Sequence, residues 1–361
     1  MYDFLVVGTG ISGVTLARIF AEEGRKVLLI DRRDHIGGNC YDFYNTDGIL
    51  IHKYGPHIFH TKHKAVWDFL SGFTEWRLYQ HRVKAFIDGR YVTFPINLKT
   101  IRELYNKDLS PSEMRDFLDS RRVPVKNPSN AREAVISQVG EELFGKFFEK
   151  YTEKQWGMPA DRLSPLVTQR IPVRFSSDDR YFDDPYQGVP MNGYTGMFKN
   201  MLNHKNIHVM LQADFRDLPS GIKFGGLVYT GPVDEYFGFQ YGKLQYRSID
   251  FDFRTYDVAS YQDVAVVNYP NDYDFTRITE YKKLTGQEAG RTVVSFEYPT
   301  SDGDPCYPVP LEENHEMCDR YIKRCKRLKS VFFAGRLGTY RYLNMDIACL
   351  EAMSLAKKLI G

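Results

Sequence analysis

The first 31 residues form one βαβ pattern around a glycine-rich turn. An apolar run at 3–7 leads into Gly-Thr-Gly-Ile-Ser-Gly at 8–13, then a helical apolar pattern, then a second apolar run that ends at Asp31. In such a unit the first glycine permits a tight turn, the second lets the backbone approach a pyrophosphate, and the third lets the helix pack close to the strand. Three glycines alone could be only a turn, but in this context they predict a Rossmann-like dinucleotide site at a helix N-terminus.

Asp31 narrows the expected ligand. It follows Gly13 by 18 residues, which places its carboxylate to accept hydrogen bonds from the 2′-hydroxyl of an unphosphorylated ribose. In this segment and the loop after it, the predicted cofactor-binding residues are Gly8, Gly10, Ile11, Ser12, Gly13, Asp31, Arg32, Gly38 and Asn39.

The glycine pattern does not by itself separate NAD from FAD. Arg32 and Arg33, followed by a Gly-Gly pair at 37–38, would let arginines and backbone amides continue along a longer dinucleotide. Near the other end, an apolar run at 331–334 ends in Gly-Arg at 335–336, and a helical pattern follows to about residue 360. Taken alone, Gly335 and Arg336 would fit an ordinary transition from a strand to a loop. The late return to a nucleotide fold nevertheless suits a flavin held by both ends of the sequence.

Composition limits the other classes of function. The 361 residues suffice for two or three structural units. The formal net charge is +2 with acids and bases spread along the chain, so no basic stripe points to nucleic acid. Five cysteines without Cys-x-x-Cys spacing favour neither a disulfide framework nor a zinc site, and no metal is expected. No charged leader or apolar run of ~20 residues occurs, so we expect a cytoplasmic protein without a membrane partner.

The order of patterns predicts an α/β protein with three units. These are a Rossmann-like FAD-binding domain, a helical insertion domain and an antiparallel β-sheet domain. The first is predicted at 1–77, 195–240 and 310–361, the second at 98–165, and the third, with a mobile loop, at 78–97, 166–194 and 241–309.

Local signals support this division. An Asp-Gly turn at 88–89 predicts a hairpin over 86–94, and Ser129-Asn130 predict a helix start. Residues 158–194, rich in Pro, Gly, Asp and Arg, predict loops. Strands are predicted at 247–253, 264–269 and 292–298, and a helix at 197–202 and a strand at 227–232 are predicted to return to the nucleotide domain.

A series of short motifs follows in order along the rest of the chain. They are His52–Thr61, Tyr151–Gly157, Arg170–Phe175, Tyr181–Phe182, Tyr186–Gly188, Tyr229–Asp234, Tyr246–Ser248, Thr276–Ile278 and Gly335–Leu337. From about residue 2 to 355, this chain resembles the bacterial UDP-galactopyranose mutase family. The resemblance implies a non-redox flavoenzyme that interconverts UDP-galactopyranose and UDP-galactofuranose, and it implies a homodimer.

The resemblance also implies a mechanism. In the family, reduced FAD attacks the anomeric carbon through nitrogen 5, UDP leaves, and the flavin–sugar adduct becomes an iminium as the ring opens. The ring then closes through the 4-hydroxyl, and UDP returns. This is covalent catalysis in which the cofactor supplies the nucleophile, so the protein positions the groups and supports the departing pyrophosphate.

Arg170 and Arg277 match the two pyrophosphate-binding arginines of the family. Guanidinium forks suit phosphate oxygens and would stabilise UDP as it leaves; without the family, each arginine would fit a surface salt bridge. The resemblance assigns further substrate contacts to His81, Phe147, Tyr151, Trp156, Tyr181, Arg247, Asn268, Tyr307, Tyr342 and Asn344.

His57 and His60 match the histidine loop that contacts the flavin in the family. Their spacing could also fit a metal pair, but no further ligand set accompanies them. Flavin contact is therefore the favoured interpretation, with a catalytic role for His60. Arg336, Met345 and Asp346 match positions near the flavin, and Met345 is expected to act through its backbone amide.

Three departures from the family bear on substrate preference. Leu343 stands where a second tyrosine is common, Asn344 where many members have Asp, and Cys306 before Tyr307 where a tyrosine pair is usual. The resemblance therefore implies the reaction class more firmly than the sugar, which could be galactose, its N-acetylated relative or another pyranose.

Two rival functions share parts of this pattern. A flavin-dependent oxidoreductase, such as an amine oxidase, shares the N-terminal fingerprint, but it would transfer hydride and leave Arg170 and Arg277 with little to do. A UDP-sugar-binding or glycosyl-transfer protein would need an acceptor site and usually an acidic metal-binding motif, and neither is evident in the sequence.

Overall fold

The computed structural model describes residues 1–361. The strands are β1 (Tyr2–Val7), β2 (Val27–Ile30), β3 (Asp42–Tyr44), β4 (Leu50–His52), β5 (Phe59–Thr61), β6 (Trp76–Leu78), β7 (Val83–Ile87), β8 (Arg90–Phe94), β9 (Tyr186–Pro190), β10 (Ile207–Met210), β11 (Phe224–Tyr229), β12 (Tyr246–Tyr256), β13 (Val266–Asn268), β14 (Arg277–Glu280), β15 (Thr292–Thr300), β16 (Tyr307–Pro308) and β17 (Val331–Phe333). The α-helices are α1 (Ile11–Glu22), α2 (Lys64–Ser71), α3 (Leu98–Tyr105), α4 (Pro111–Asp119), α5 (Ala131–Phe147), α6 (Glu149–Trp156), α7 (Leu166–Gln169), α8 (Gly193–Leu202), α9 (Val233–Tyr236), α10 (Tyr281–Thr285), α11 (Glu312–Cys325), α12 (Gly335–Gly338) and α13 (Met345–Ile360).

A parallel sheet carries the N-terminal βαβ unit. Its five strands have the order β10-β2-β1-β11-β17, so the predicted returns of β11 and β17 to this sheet are confirmed. Helices α1, α8 and α13 cover one face and bury apolar side chains such as Leu16, Phe20 and Phe198. The predicted Rossmann-like α/β class is therefore confirmed.

The glycine turn after β1 depends on close backbone approach. Gly8 has a φ of +103°, a conformation that side chains with a Cβ rarely adopt. A Cβ on Gly13 would lie 1.9 Å from the carbonyl oxygen of Gly8. The third glycine therefore lets α1 pack directly against the turn, as the sequence predicts.

A second sheet has the strand order β16-β12-β15-β14-β13-β7-β8. The predicted hairpin is β7–β8, and both turn residues, Asp88 and Gly89, have positive φ angles of 51° and 77°. The predicted antiparallel sheet is confirmed at every pairing except one, since β7 and β13 run parallel. A parallel pair requires a long crossover, and the chain between these two strands contains the helical region.

The helical region from α3 to α6 confirms the predicted helical pattern. Asn97 and Ser110 begin α3 and α4 with capping boxes, and Asn130 caps α5 by accepting a hydrogen bond from the Glu133 N–H. The apolar side chains of these helices pack in one buried cluster with those of β7 and β8. No helix in the protein is both long and apolar enough to cross a membrane.

The prediction that residues 158–194 are loops is wrong in part, because β9 lies within them. This strand pairs on both sides, with β5 and with β6, in a separate antiparallel sheet. Its Tyr-Gln-Gly-Val-Pro sequence is a weak strand signal. Gly188 is needed there because a Cβ would lie 2.8 Å from the carbonyl oxygen of Arg77. The domain boundaries and the mobility of this segment stay predictions.

Candidate functional site

Two cavities adjoin at the carboxyl edge of the parallel sheet. The first lies over the glycine turn, and the second lies between the second sheet and the helical region. His57, Arg336 and Met345 line both cavities. A ligand in the first cavity can therefore present one end to a ligand in the second.

The first cavity brings together most of the predicted cofactor residues. Those lining it are Gly8, Gly10, Ile11, Ser12, Asp31, Arg32, Gly38, Asn39, His57, Arg336 and Met345. Helices α1 and α13 begin at this cavity, and neither N-cap residue, Gly10 nor Asn344, makes a side-chain capping hydrogen bond. Their first backbone N–H groups are thus left for an anion. The arrangement fits a dinucleotide.

Gly10 and Gly38 form the floor of this cavity. A Cβ on Gly38 would lie 2.9 Å from the Cα of Gly10, whereas the nearest atom to a Cβ on Gly10 is 3.9 Å away. The two backbones therefore meet this closely because residue 38 is a glycine, whereas a Cβ on Gly10 would not clash with the protein. The space beside Gly10 belongs to the cavity, as the pyrophosphate assignment requires.

Asp31 lines the cavity and also holds the glycine turn. Its carboxylate accepts hydrogen bonds from the Thr9 N–H at 2.8 Å and the Thr9 hydroxyl at 2.7 Å, and another from the Arg33 N–H at 3.0 Å. Replacing Asp31 would therefore loosen the turn as well as remove a ribose partner.

Three predicted cofactor residues lie outside this cavity. Gly13 is buried beneath Gly8, and the buried Asp346 accepts a 3.0 Å hydrogen bond from the Thr61 hydroxyl. The Asp346 side chain therefore faces Thr61 and does not line this cavity, and its predicted contact with the cofactor stays a prediction. His60 lines the second cavity and not the first.

The second cavity collects nearly all of the predicted substrate residues. Those lining it are His81, Phe147, Tyr151, Trp156, Arg170, Tyr181, Asn268, Arg277, Tyr307, Tyr342 and Asn344. They come from α5, α6, the 158–194 segment, the second sheet and the start of α13. Many of the lining side chains are aromatic, and three arginines, Arg170, Arg277 and Arg336, line the same cavity.

The two predicted phosphate arginines are held differently. Arg277 donates from Nε to Oε2 of Glu297 at 2.5 Å, and Glu297 is completely buried. Arg170 is exposed and donates to the Tyr342 hydroxyl at 2.8 Å. One guanidinium is thus fixed by a buried carboxylate, while the other is free of any carboxylate partner.

Tyr342 lies among the positively charged arginines of the second cavity. Burial raises the pKa of its phenol, but the charges of Arg170 and Arg336 outweigh burial and lower the pKa below its usual value. The Tyr307 ring stacks on it with centroids 5.6 Å apart. The cavity therefore favours negative charge at this end, as a diphosphate site must.

His60 is oriented by a carboxylate that the sequence analysis did not single out. Its Nδ1 lies 2.6 Å from Oδ2 of Asp184, and the Phe182 ring stacks on the imidazole at 3.7 Å. Gln187 donates to the backbone carbonyls of Phe182 and Asp184 and holds this segment in place. The imidazole thus has a fixed orientation at the cavity wall.

Arg247 does not line the cavity, and its predicted contact with substrate stays a prediction. Its guanidinium donates to the backbone carbonyls of Lys154 and Gln155 at the end of α6. Lys154 in turn donates to the carbonyls of Tyr269, Tyr273 and Phe275. Arg247 thus ties the end of α6 to β12, and Lys154 ties α6 to the β13–β14 turn, which lies between Asn268 and Arg277.

One of the carboxylates missed by the sequence analysis, Glu297, does carry a signal in the sequence. Glu297 is a lone acid in the apolar strand run 292–298, and a buried carboxylate needs a charged or hydrogen-bonding partner. That signal predicts a partner, but it does not identify Arg277. No cluster of three or more His, Cys, Asp or Glu side chains is arranged to hold a metal ion.

Three histidines, the buried His52 and His81 and the half-buried His57, make the stability sensitive to acid. Burial lowers the pKa of His52 to about 4 and the pKa values of His57 and His81 to about 3. The unfolded chain binds protons from about pH 6.5 downward, so the free energy of unfolding should fall as pH drops. At pH 5 each histidine should cost about 2 kcal/mol relative to neutral pH.

His52→Gln should remove one such contribution, as measured by urea unfolding at pH 7.5 and pH 5. The control is His315→Gln, because His315 is exposed. An unchanged pH dependence in His52→Gln would show that His52 is not held neutral by the fold.

Comparison with known proteins agrees with this geometry. A family model described as UDP-galactopyranose mutase matches residues 146–342, and one described as an NAD(P)-binding Rossmann-like domain matches residues 6–73. A probable UDP-galactopyranose mutase of Klebsiella pneumoniae is 40% identical over 99% of this chain and 95% of its own length. A dTDP-fucopyranose mutase of Escherichia coli is 38% identical over 99% of this chain and 98% of its own length.

The fold comparison is consistent with these sequences. A crystal structure of reduced UDP-galactopyranose mutase covers 100% of this chain and 96% of its own, with a TM-score of 0.78 at 17% identity. At that identity the match concerns the fold alone, whereas the sequence matches extend over nearly the full length. The chain belongs to the UDP-galactopyranose mutase family, and it is an FAD-dependent isomerase.

Proposed function

We propose that the protein interconverts UDP-galactopyranose and UDP-galactofuranose, with FAD in the first cavity and the sugar nucleotide in the second. The observation that carries this proposal is the junction of the cavities at His57, Arg336 and Met345. There, a cofactor held by the glycine turn would meet a sugar whose diphosphate lies among arginines.

The residues of the first cavity fit FAD. Two helix N-termini and the Gly10–Gly38 floor suit its pyrophosphate, and the start of α13 at Met345 would face the flavin end. When bound and reduced, FAD supplies the nucleophile for the anomeric carbon and is regenerated without net redox change.

The protein's own contribution is to stabilise the departing UDP. Arg170 and Arg277 would contact the diphosphate oxygens, and Tyr307 and Tyr342 would donate hydrogen bonds to them. Because Arg277 is fixed by Glu297, its fork is positioned in advance. The aromatic side chains of Phe147, Tyr151 and Trp156 would contact the uracil.

His60 would exchange protons with the sugar hydroxyls. Its Nδ1–H donates to the Asp184 carboxylate, which leaves Nε2 as the acceptor. His81, Tyr181, Asn268 and Asn344 would line the sugar beside it. We also propose that the protein is a homodimer and is located in the cytoplasm.

A second candidate substrate is dTDP-fucopyranose. It is favoured by the E. coli relative, whose identity to this chain is nearly that of the K. pneumoniae relative. The two substrates differ in the base, the ribose 2′-hydroxyl and the sugar 6-hydroxyl, all of which face the second cavity in this proposal.

The test is to incubate dithionite-reduced protein with UDP-galactofuranose or dTDP-fucofuranose and to separate the pyranose products by chromatography. We expect kcat/KM to be highest with the UDP sugar. A higher kcat/KM with the dTDP sugar would mean that the reaction is the proposed one but the substrate is dTDP-fucopyranose. If flavin-loaded protein converts neither sugar nucleotide, the proposal is refuted.

A further inference from the structure

The amino-terminal edge of the parallel sheet lies opposite both cavities, and basic residues gather there. Strands of a parallel sheet all begin at one edge, so the turns that enter them are neighbours. Seven basic residues lie on or beside these turns, and together they are called the basic edge: Arg25, Lys26, Lys205, Lys223, Lys326, Arg327 and Lys329.

Backbone hydrogen bonds set the order of these turns. The Val27 N–H donates to the backbone carbonyl of Asn206, and the Asp3 N–H donates to the backbone carbonyl of Lys26, each at 2.8 Å. The Tyr2 N–H donates to Lys223 at 2.9 Å, and the Leu227 N–H donates to Ser330 at 2.8 Å. Adjacent strands lie ~4.8 Å apart, so the five strand starts span roughly 19 Å.

The charge of the basic edge is not balanced by ion pairs. All seven side chains belong to exposed residues, and none forms a salt bridge. Nearby acids are few: Asp3 accepts a hydrogen bond from the Lys26 N–H, Glu22 pairs with Arg18, and Glu23 is exposed. The protein as a whole carries only +2, so seven exposed cations without ion-pair partners on one face are a local excess of positive charge.

The patch is broad rather than linear. Helix α13 runs beside α1, since Ser12 and Thr15 of α1 contact Ala348 and Cys349 near the start of α13. Its last turn therefore brings the exposed Lys357 and Lys358 to the same end of the molecule. The last turn of α11 leads into Lys326 at the other side of the sheet.

We propose that the basic edge holds the protein on surfaces of anionic phospholipid. A broad, lysine-rich end suits a plane of headgroup phosphates, whereas a nucleic-acid strand is bound along a track with aromatic stacking, and no aromatic residue is exposed among the seven cations. Both cavities open toward the opposite edge, so a docked molecule keeps its active site accessible. This inference departs from the expectation of no membrane partner and does not depend on the proposed substrate.

The experiment is sedimentation of the FAD-loaded, full-length protein with vesicles. It should bind vesicles containing phosphatidylglycerol, not bind pure phosphatidylcholine, and dissociate in 0.5 M salt, where charge attraction is screened. The triple variant Lys326→Gln, Arg327→Gln, Lys329→Gln should bind on the order of 100-fold more weakly while retaining FAD and mutase activity.

A matched variant, Lys107→Gln, Lys126→Gln, Lys150→Gln, removes three exposed cations from the helical region and should bind vesicles as well as the unmodified protein does. Equal weakening in both variants, or equal binding to both vesicle types, would overturn the proposal. Tighter binding to a duplex oligonucleotide than to vesicles at the same salt would also overturn it, because the face would then be a nucleic-acid site.

Discussion

Replacing Arg170 with alanine is expected to lower kcat/KM for UDP-galactofuranose by roughly 30- to 150-fold. This loss corresponds to about 2–3 kcal/mol for one charge-assisted phosphate contact. Both kcat and affinity should fall, because in the proposed mechanism the arginine stabilises UDP as it leaves. Arg170→Lys should restore only part of the activity, since an ammonium cannot fork across two oxygens.

The structure makes Arg170 a clean site for this measurement. Its side chain donates to the Tyr342 hydroxyl and to the Val167 carbonyl, and its removal leaves no buried charge behind. Arg162→Ala is the matched control, because Arg162 is exposed in the same segment and does not line the cavity. Steady-state kinetics under reducing conditions should be paired with flavin content. A loss below about threefold in flavin-loaded Arg170→Ala would refute the phosphate assignment.

Arg277→Ala should lose a similar factor in kcat/KM, but it should also lose stability. Removing this guanidinium leaves the completely buried Glu297 carboxylate without its ion-pair partner, which is a costly arrangement. Its thermal unfolding must therefore be measured beside its kinetics, so that misfolding is not counted as lost phosphate binding.

Replacing Gly10 with alanine is expected to weaken FAD binding by roughly 5- to 150-fold, the effect of forcing one methyl group into a packed contact. The protein itself accommodates the change, because Gly10 has a φ of −70° and the added Cβ has no protein atom closer than 3.9 Å. The clash should arise only with a bound pyrophosphate.

The measurement is the FAD-to-protein ratio after dialysis, together with the thermal unfolding of the flavin-free protein. Gly290→Ala is the control, since no atom lies within 4 Å of its added Cβ and Gly290 lines neither cavity. Full FAD retention by Gly10→Ala would contradict the placement of the pyrophosphate. A flavin-free variant that unfolds early would instead indicate a structural defect.

The parts of the fold that follow from short-range patterns could be predicted from the sequence. The βαβ unit, the 88–89 hairpin turn and the cap at Asn130 each depend on residues close together in the chain, and the structure agrees with each. Strand β9 could not be predicted, because a Gly- and Pro-containing segment becomes a strand only when two distant partners pair with it.

The site was predicted less completely, for the same reason. Arg170 and Arg277 follow from the family resemblance, but their environments depend on contacts between distant segments. Asp184 reaches His60 across 124 residues, and only the fold shows that Glu297 underlies Arg277. The basic edge likewise joins residues that are scattered in the sequence, which is why no basic stripe was found there.

The central claim is that the flavin acts without net redox change, and a stoichiometric experiment tests it most directly. FAD-loaded protein should be reduced anaerobically with one equivalent of dithionite, supplied with a large excess of UDP-galactofuranose, and followed by product chromatography and flavin absorbance. We expect many conversions per flavin with no further reductant consumed, and negligible conversion by the oxidised protein. Equal activity of the oxidised protein, or one reducing equivalent consumed per product formed, would contradict it.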